Sequence, residues 1–438
     1  MFFVVGRLPE LKYVRLAMGR SKISFVVFIA GTLFALSAAA QHRVPLTLAE
    51  AEDIATGNEP GQLSLSARSS ALKEQAVAAG QLPDPTLRLG LANFPIDGGG
   101  FSTEGMTQAQ LGIRQVFPRG RSRALSSLRL RSMAAELGKS AEARSRDVLT
   151  ATRTAWLDTY LWQRAQQIVT ESRPFFADLV DVTRSMYAVG RKTQHDVLRA
   201  ELELSRLDDR LIEAGRARAE AQAELSRWLG TDAYRPIAMK LPGWQQPPPL
   251  DELRQDLADH PSLAAAEASI SATQSGIDLA KENYKAGWAL DFVYGYREGS
   301  LADGEPRSDF VSLAASVDLP LFGKNRQDRQ LAAALQERRA AVETKNEVHA
   351  QLRSQLDLQY ARFSDLTRRL ALYDSQILGQ SEGQAQSALQ AYQSDAGDFS
   401  DVMRGYIDDL NTRLEYTGLQ VERAQSYAVL ANLGGILQ

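Results

Sequence analysis

The sequence predicts a mainly α-helical chain with a small antiparallel β part, one structural unit written twice. Three observations predict it. The segment YAVGRKTQHDVLRAELEL, beginning at Tyr187, returns as YQSDAGDFSDVMRGYIDDL from Tyr392, 205 residues later. FPRGRSR around Gly120 returns as LFGKNRQ around Gly323. Each copy joins a very long helical stretch to two short alternating segments. For a chain of 438 residues, a duplicated unit of about 200 residues fits better than unrelated domains.

The N-terminus reads as an export signal. Arg15, Arg20 and Lys22 precede the apolar run Ile23 to Leu36, and Ala38, Ala39 and Ala40 supply a small-residue cleavage site before Gln41. Residues 23–40 are uncharged and reach the low edge of a spanning length, so an anchor is the competing reading. The small-residue end favours cleavage. Met18 offers an alternative start. No other apolar run approaches spanning length, so further membrane contact has to use strands.

Residues 46–82 read as helix. Thr47 and Glu50 have capping-box spacing, Glu59-Pro60-Gly61 interrupts the run, and a second helix covers about Gln62 to Gln81 before Pro83. The period then changes from 3.6 to 2. Leu87, Leu89 and Leu91 alternate with Arg88, Gly90 and Ala92. After a Gly-rich loop, Ala109, Leu111 and Ile113 alternate with Gln110, Gly112 and Arg114. The second copy repeats the pattern with Leu290, Phe292, Tyr294 and Tyr296, then Val311, Leu313, Ala315, Val317 and Leu319. Polar-in, apolar-out strands of about ten residues mark a transmembrane barrel hairpin, although a soluble amphipathic hairpin looks the same locally. Phe94, Phe117, Trp288, Tyr296, Phe310 and Phe322 cluster at strand ends, as aromatic girdles at two membrane interfaces do.

Each hairpin leads into a long helix, Arg121 to Tyr187 and Arg326 to Tyr392, with Pro174 as the one proline. At about 1.5 Å per residue each spans on the order of 100 Å, a length suited to a bundle or tube. A shorter helix returns over Thr193 to Trp228, with Val197, Ala200, Leu204, Leu207, Leu211, Ala214, Ala221, Leu225 and Trp228 in coiled-coil spacing. These elements divide the chain into a signal peptide at 1–40 and a first copy at 41–230. That copy has a hairpin at 86–116 and a helical hairpin at 121–229. A Pro-rich irregular linker follows at 231–261, then a second copy at 262–438 with a hairpin at 289–319 and a helical hairpin at 326–430.

Net charge is −3, and −7 once residues 1–40 are removed, which gives no electrostatic case for nucleic acid. There is no cysteine, so disulfides, thiolate sites and N-terminal lipidation are excluded. An enzyme is disfavoured. The four histidines are scattered, and the GKS at Gly138 to Ser140 lacks the earlier glycine of a phosphate loop, Met133 standing there. No cofactor and no metal site are expected.

Four strands cannot close a barrel, and open edges are not tolerated in lipid. Copies therefore associate, and three of them would supply about twelve strands. The helices continue the barrel as a coaxial tube, and the turns at Gly190 and at Ala396-Gly397 form the end far from the membrane.

The paired segments at Tyr187 and Tyr392, FPRGR and LFGKN after the strands, and the twin starts LTLAEAEDIA and LDELRQDLADHPSL resemble the TolC family of outer-membrane efflux channels. The resemblance covers residues 46–437. It implies a homotrimer in the bacterial outer membrane, with a 12-stranded barrel, a periplasmic helical tunnel and an equatorial belt. It also implies an efflux role with a periplasmic adaptor and an inner-membrane pump. LPDPTLRLGLANFP and MTQAQ look most like members paired with heavy-metal pumps. A type I secretion exit channel for protein cargo and a non-pore periplasmic coiled coil are the alternatives.

Under this resemblance Tyr187, Gly190, Gln194, Asp196, Val197 and Leu198 form one adaptor-docking turn, and Tyr392, Ser400, Val402 and Met403 belong to the other. Plain interhelical core is the competing reading for Val197, Leu198, Val402 and Met403. Asp398, Asp401 and Arg404 stand at the expected aperture. The two aspartates either ring a lumen or cap a helix. Arg404 replaces the second acidic residue of the family's constriction, and it could pair with Asp401 instead. Asp395 stands in the second turn where the first has Gly190. Arg119, Arg121, Arg123, Lys324, Arg326 and Arg329 follow the strands and are candidates for binding lipid phosphates.

Overall fold

The computed structural model describes residues 44–436, apart from 58, 245 and 395. The expected signal at 1–40 and Asp395 lie outside the described residues. The chain runs α1 (Leu48–Gly57), α2 (Pro60–Ala79), β1 (Thr86–Ala92), β2 (Gln108–Phe117), α3 (Ser122–Ala188) and α4 (Gln194–Leu229). It continues through α5 (Leu250–Asp256), α6 (Pro261–Glu282), β3 (Trp288–Tyr296), β4 (Phe310–Val317), α7 (Gln327–Leu372), α8 (Leu378–Gln393) and α9 (Phe399–Gly434). Among the described residues, no helix is long and apolar enough to cross a membrane.

The long helices have the expected extent. α3 is 67 residues long and continues through Pro174. Its counterpart is α7, one wide π turn at Tyr373–Ile377, and α8, joined without a break. The π turn was not foreseen. It inserts an extra residue into the hydrogen-bond ladder, and periodicity over so short a span does not reveal it. The return helices α4 and α9 have 36 residues each.

α2 begins two residues earlier than expected, because Pro60 sits in its first turn, where a missing N–H costs nothing. Glu59 caps it and accepts from the Gln62 N–H at 2.5 Å. The same carboxylate binds the Arg144 guanidinium of α3 at 2.8 Å. One side chain thus starts a helix and fastens it to α3.

α3 is the spine. It packs against α2, α4, α6 and α9 in turn. Trp156, fully buried at its middle, donates its indole N–H to the Leu46 carbonyl at 3.1 Å. Leu46 forms a parallel bridge with Ile237, so the linker pairs with the segment that leads into α1. Gln163 of α3 holds both backbone groups of Ile237, and Arg235 binds Glu50 and the Val44 carbonyl. Apart from this bridge, the described residues of 235–249 are irregular, as expected, and α5 follows them.

His260 caps α6 with a neutral nitrogen. Nδ1 accepts from the Ser262 N–H at 3.2 Å, and the ring is buried. Burial holds its pKa below the ordinary histidine value. Arg146 of α3 acts in the same direction, while Asn432 of α9 and Asp147 of α3 oppose it.

Two measurements test these caps. Glu59→Ala should lower thermal stability by about 2 kcal/mol, since it removes a helix cap and a charge-assisted bond together. The Glu59 carboxyl is drawn down to about 2, first by Arg144 and, against opposing burial, by the Gln62 and Gly61 N–H groups. Its contribution is present above the ordinary carboxylate pKa and is lost as pH falls towards 2. For His260 the folded pKa is depressed, so stability falls as pH drops below the unfolded value of about 6.5. His260→Asn keeps a capping acceptor and cannot titrate. Its denaturation midpoint should stay flat over the range in which the parent protein weakens.

Candidate functional site

β1 to β4 form one antiparallel sheet in chain order, and β2 pairs with β3 to join the two halves of the chain. The register settles the faces. Leu89, Leu111, Tyr294 and Val311 align across all four strands, as do Leu87, Ile113, Phe292 and Leu313. This apolar face lies open: Leu89 is 76% exposed and Leu313 74%. The opposite face carries Arg88, Gln108, Gln110, Arg114, Asp291, Ser312 and Ser316 among glycines and alanines. β1 and β4 are its edges.

The aromatic residues divide between the two ends. Where the strands meet the helices, Phe117 stacks on Trp288 with centroids 4.0 Å apart, and Phe322 is exposed just beyond β4. At the far end stand Phe94 and Tyr296, and Phe101 stacks on Tyr296 at 6.4 Å. Phe310 departs from the expected girdle. Its register partner is Gly295, which places it on the polar face, and the Arg297 guanidinium lies over its ring at 3.8 Å. A strand-end aromatic faces lipid only when its position in the two-residue alternation agrees, and that of Phe310 does not.

The expected basic cluster is split by its environment. Arg119 pairs with Asp318 at 3.5 Å and donates to the Asn283 carbonyl. Arg121 gives its backbone N–H to the buried Glu282 carboxylate at 2.9 Å, and Arg123 reaches the Gly80 carbonyl. Lys324 and Arg326 are exposed.

At the opposite end of the helices, Gly190 adopts φ +74°, which lets α3 turn into α4. Thr193 and Asp196 form a reciprocal capping box, so Asp196 shapes this turn. Tyr187, Gln194 and Leu198 are exposed, Leu198 at 56%, and Val197 is half-buried. The second turn is different. Tyr392 is 3% exposed, Val402 0% and Met403 1%, all within a core that includes Phe176, Leu207 and Phe399. These three expected docking residues are interior packing. The reason is position. α9 lies between α3 and the α7–α8 helix, whereas α4 packs mainly on α3. Gly405 lets α9 approach closely, since a Cβ there would lie 3.0 Å from Ala385 Cα.

Asp398 holds the cap position of α9 but makes no side-chain capping bond. Asp401 and Arg404 form an exposed pair within one helix at 3.8 Å and do not bridge two helices in the chain. Ser400 accepts from Arg199 at 2.7 Å, which ties one turn to the other. Lys192 lies over the Tyr392 ring at 4.6 Å. Both ties were missed, because they join residues about 200 positions apart whose helices had no predicted register. Gly138 to Ser140 lie inside α3, where Ser140 bonds the Glu136 carbonyl and Lys139 pairs with Glu142. Among the described residues, no group of three or more acidic or histidine side chains could hold a metal ion.

No protein-family model matches the chain. It is 25% identical over 327 residues to Protein CyaE of Bordetella pertussis, covering 70% of this chain and 67% of that protein. Its fold matches the outer membrane protein VceC of Vibrio cholerae with a TM-score of 0.74 at 17% identity, over 89% of this chain and 96% of that one. CusC matches with a TM-score of 0.75 at 14% identity, over 91% and 95%. The open-state MtrE outer membrane channel of Neisseria gonorrhoeae matches with a TM-score of 0.68 at 17% identity, over 89% and 88%. The chain has the fold of the TolC-family outer-membrane channels.

Proposed function

We propose that three copies of this chain form an outer-membrane exit duct, the last component of a tripartite efflux system for small solutes. The observation that carries the reading is the sheet. It has one open apolar face, one polar face lined with small residues, and two unpaired edges at the end of helices about 100 Å long. Two copies would give about eight strands, a barrel whose interior side chains fill it. Three would give about twelve and leave a lumen. The helices then line a periplasmic tunnel, and the internal duplication supplies two hairpins and two helical pairs per subunit.

In this reading Phe117, Trp288, Phe322, Lys324 and Arg326 lie at the inner-leaflet interface, and Phe94 and Tyr296 at the outer one. The exposed tip residues Tyr187, Gln194 and Leu198 meet a periplasmic adaptor. Asp398, Asp401 and Arg404 face the aperture. A non-pore periplasmic rod is disfavoured, because it gives the apolar sheet face no occupant.

Planar-bilayer recording of the purified protein should show single-channel conductance, and unheated samples should migrate as trimers on gels. A soluble monomer in native cells would sink the reading. Substitutions on the two faces sharpen the test. Leu313→Arg should destabilise the inserted barrel by about 2–4 kcal/mol, the midplane cost of a cation facing lipid. Ser312→Arg, one residue away on the opposite face, should still assemble. Equal trimer yields from the two variants would contradict the assignment of faces.

A further inference from the structure

The four strands carry three charged side chains: Arg88 on β1, Arg114 on β2 and Asp291 on β3. All three are on the polar face, and they meet. Asp291 stands directly across from Arg114 in the register, and Arg88 lies two residues along β1 from the partner of Arg114, Thr86. Arg88 Nη1 is 3.2 Å from Asp291 Oδ1, and Arg114 Nε is 4.0 Å from Oδ2. Arg114 also donates to the Ser316 hydroxyl of β4 at 3.3 Å. The side chain of Asp291 is 14% exposed and that of Arg88 53%. The carboxylate therefore lies low against the wall while a guanidinium stands into the open.

Two cations share one anion, so each chain presents one uncompensated positive charge at this height. Gly90, Gly112, Gly295, Ala289 and Ala314 occupy neighbouring positions on the same face, which leaves the guanidinium uncovered. A guanidinium supplies a fixed, delocalised positive charge. Asp291 positions it, drawing two long side chains together on three adjacent strands.

We propose that the Arg88–Asp291–Arg114 cluster forms a positive ring on the wall of the conduit and biases passage towards anions. The inference rests on the channel reading above. Fixed charge on a narrow wall with low-dielectric backing concentrates counter-ions. At about 0.1 M salt the field extends roughly 10 Å from the wall, and at about 0.01 M roughly 30 Å.

Reversal potentials across planar bilayers with a potassium chloride gradient test the idea on the full chain. Arg88→Gln with Arg114→Gln should lower the chloride-over-potassium permeability ratio by roughly twofold or more. Asp291→Asn should raise it. Both shifts should shrink as salt approaches about 1 M, where screening falls to roughly 3 Å. If the double variant fails to assemble, Arg88→Gln alone carries the same prediction, since Arg114 and Asp291 remain paired. Channels that conduct with unchanged ratios in these variants overturn the proposal. An unmodified protein that forms no channels overturns the underlying reading instead.

Discussion

Every backbone group of a strand in hydrocarbon must find its partner within protein, and this sheet leaves two edges without one. That constraint organises the molecule. The apolar face adds a second demand in the same direction. It exposes about a dozen large side chains, each contributing roughly 1.5–3 kcal/mol when removed from water. The total exceeds the roughly 5–15 kcal/mol by which a typical protein is stable. Left in water, this face forgoes that stabilisation. In the proposed reading lipid covers the face and further copies complete the edges.

The helices solve a different problem, which is how to hold a long, thin wall without a globular core. Burial here is a series of separate clusters: one around Trp156 and one around Phe176 and Met403, both built on α3, and one around Tyr427 where α5, α7 and α9 meet. Buried alanines on α4 (Ala200, Ala214, Ala217 and Ala221) let helix axes approach closely but contribute little area each. Precise polar fixings then matter more than in a thick domain. Glu59 with Arg144 fixes α2 on α3, and Gln163 with Ile237 fixes the linker on the spine.

Element type and length were legible because they depend on local pattern. The 3.6 and 2 periods and the Gly190 turn located the helices and strands nearly to the residue. Side-chain destination was legible on strands, where alternation is strict, and Leu87, Leu89 and Leu91 do share a face. Phe310 obeyed the alternation and departed only from the girdle expectation. Destination on the helices was less legible. Val197 and Val402 stand in matching DVL and DVM triplets, yet one is half-buried and the other sealed. That difference comes from how many helices flank α4 and α9, which a single sequence does not contain. The cross-strand cluster was hidden for a related reason. Arg114 and Asp291 are far apart in the chain, and only the β2–β3 register brings them together.

The same asymmetry separates two duties at the tip. In α9 Val402 and Met403 of the DVM triplet pack inward, and the preceding Ser400 is tied to Arg199. In α4 the matching DVL triplet leaves Leu198 open, beside an exposed Gln194 and a capping Asp196. A copy with an interior position cannot vary its apolar residues without opening a core. A copy at the edge can offer its apolar residues to another surface. Related segments in unequal surroundings thus give one turn that is packed inside the chain and one that stays open, on a helix that packs mainly against α3.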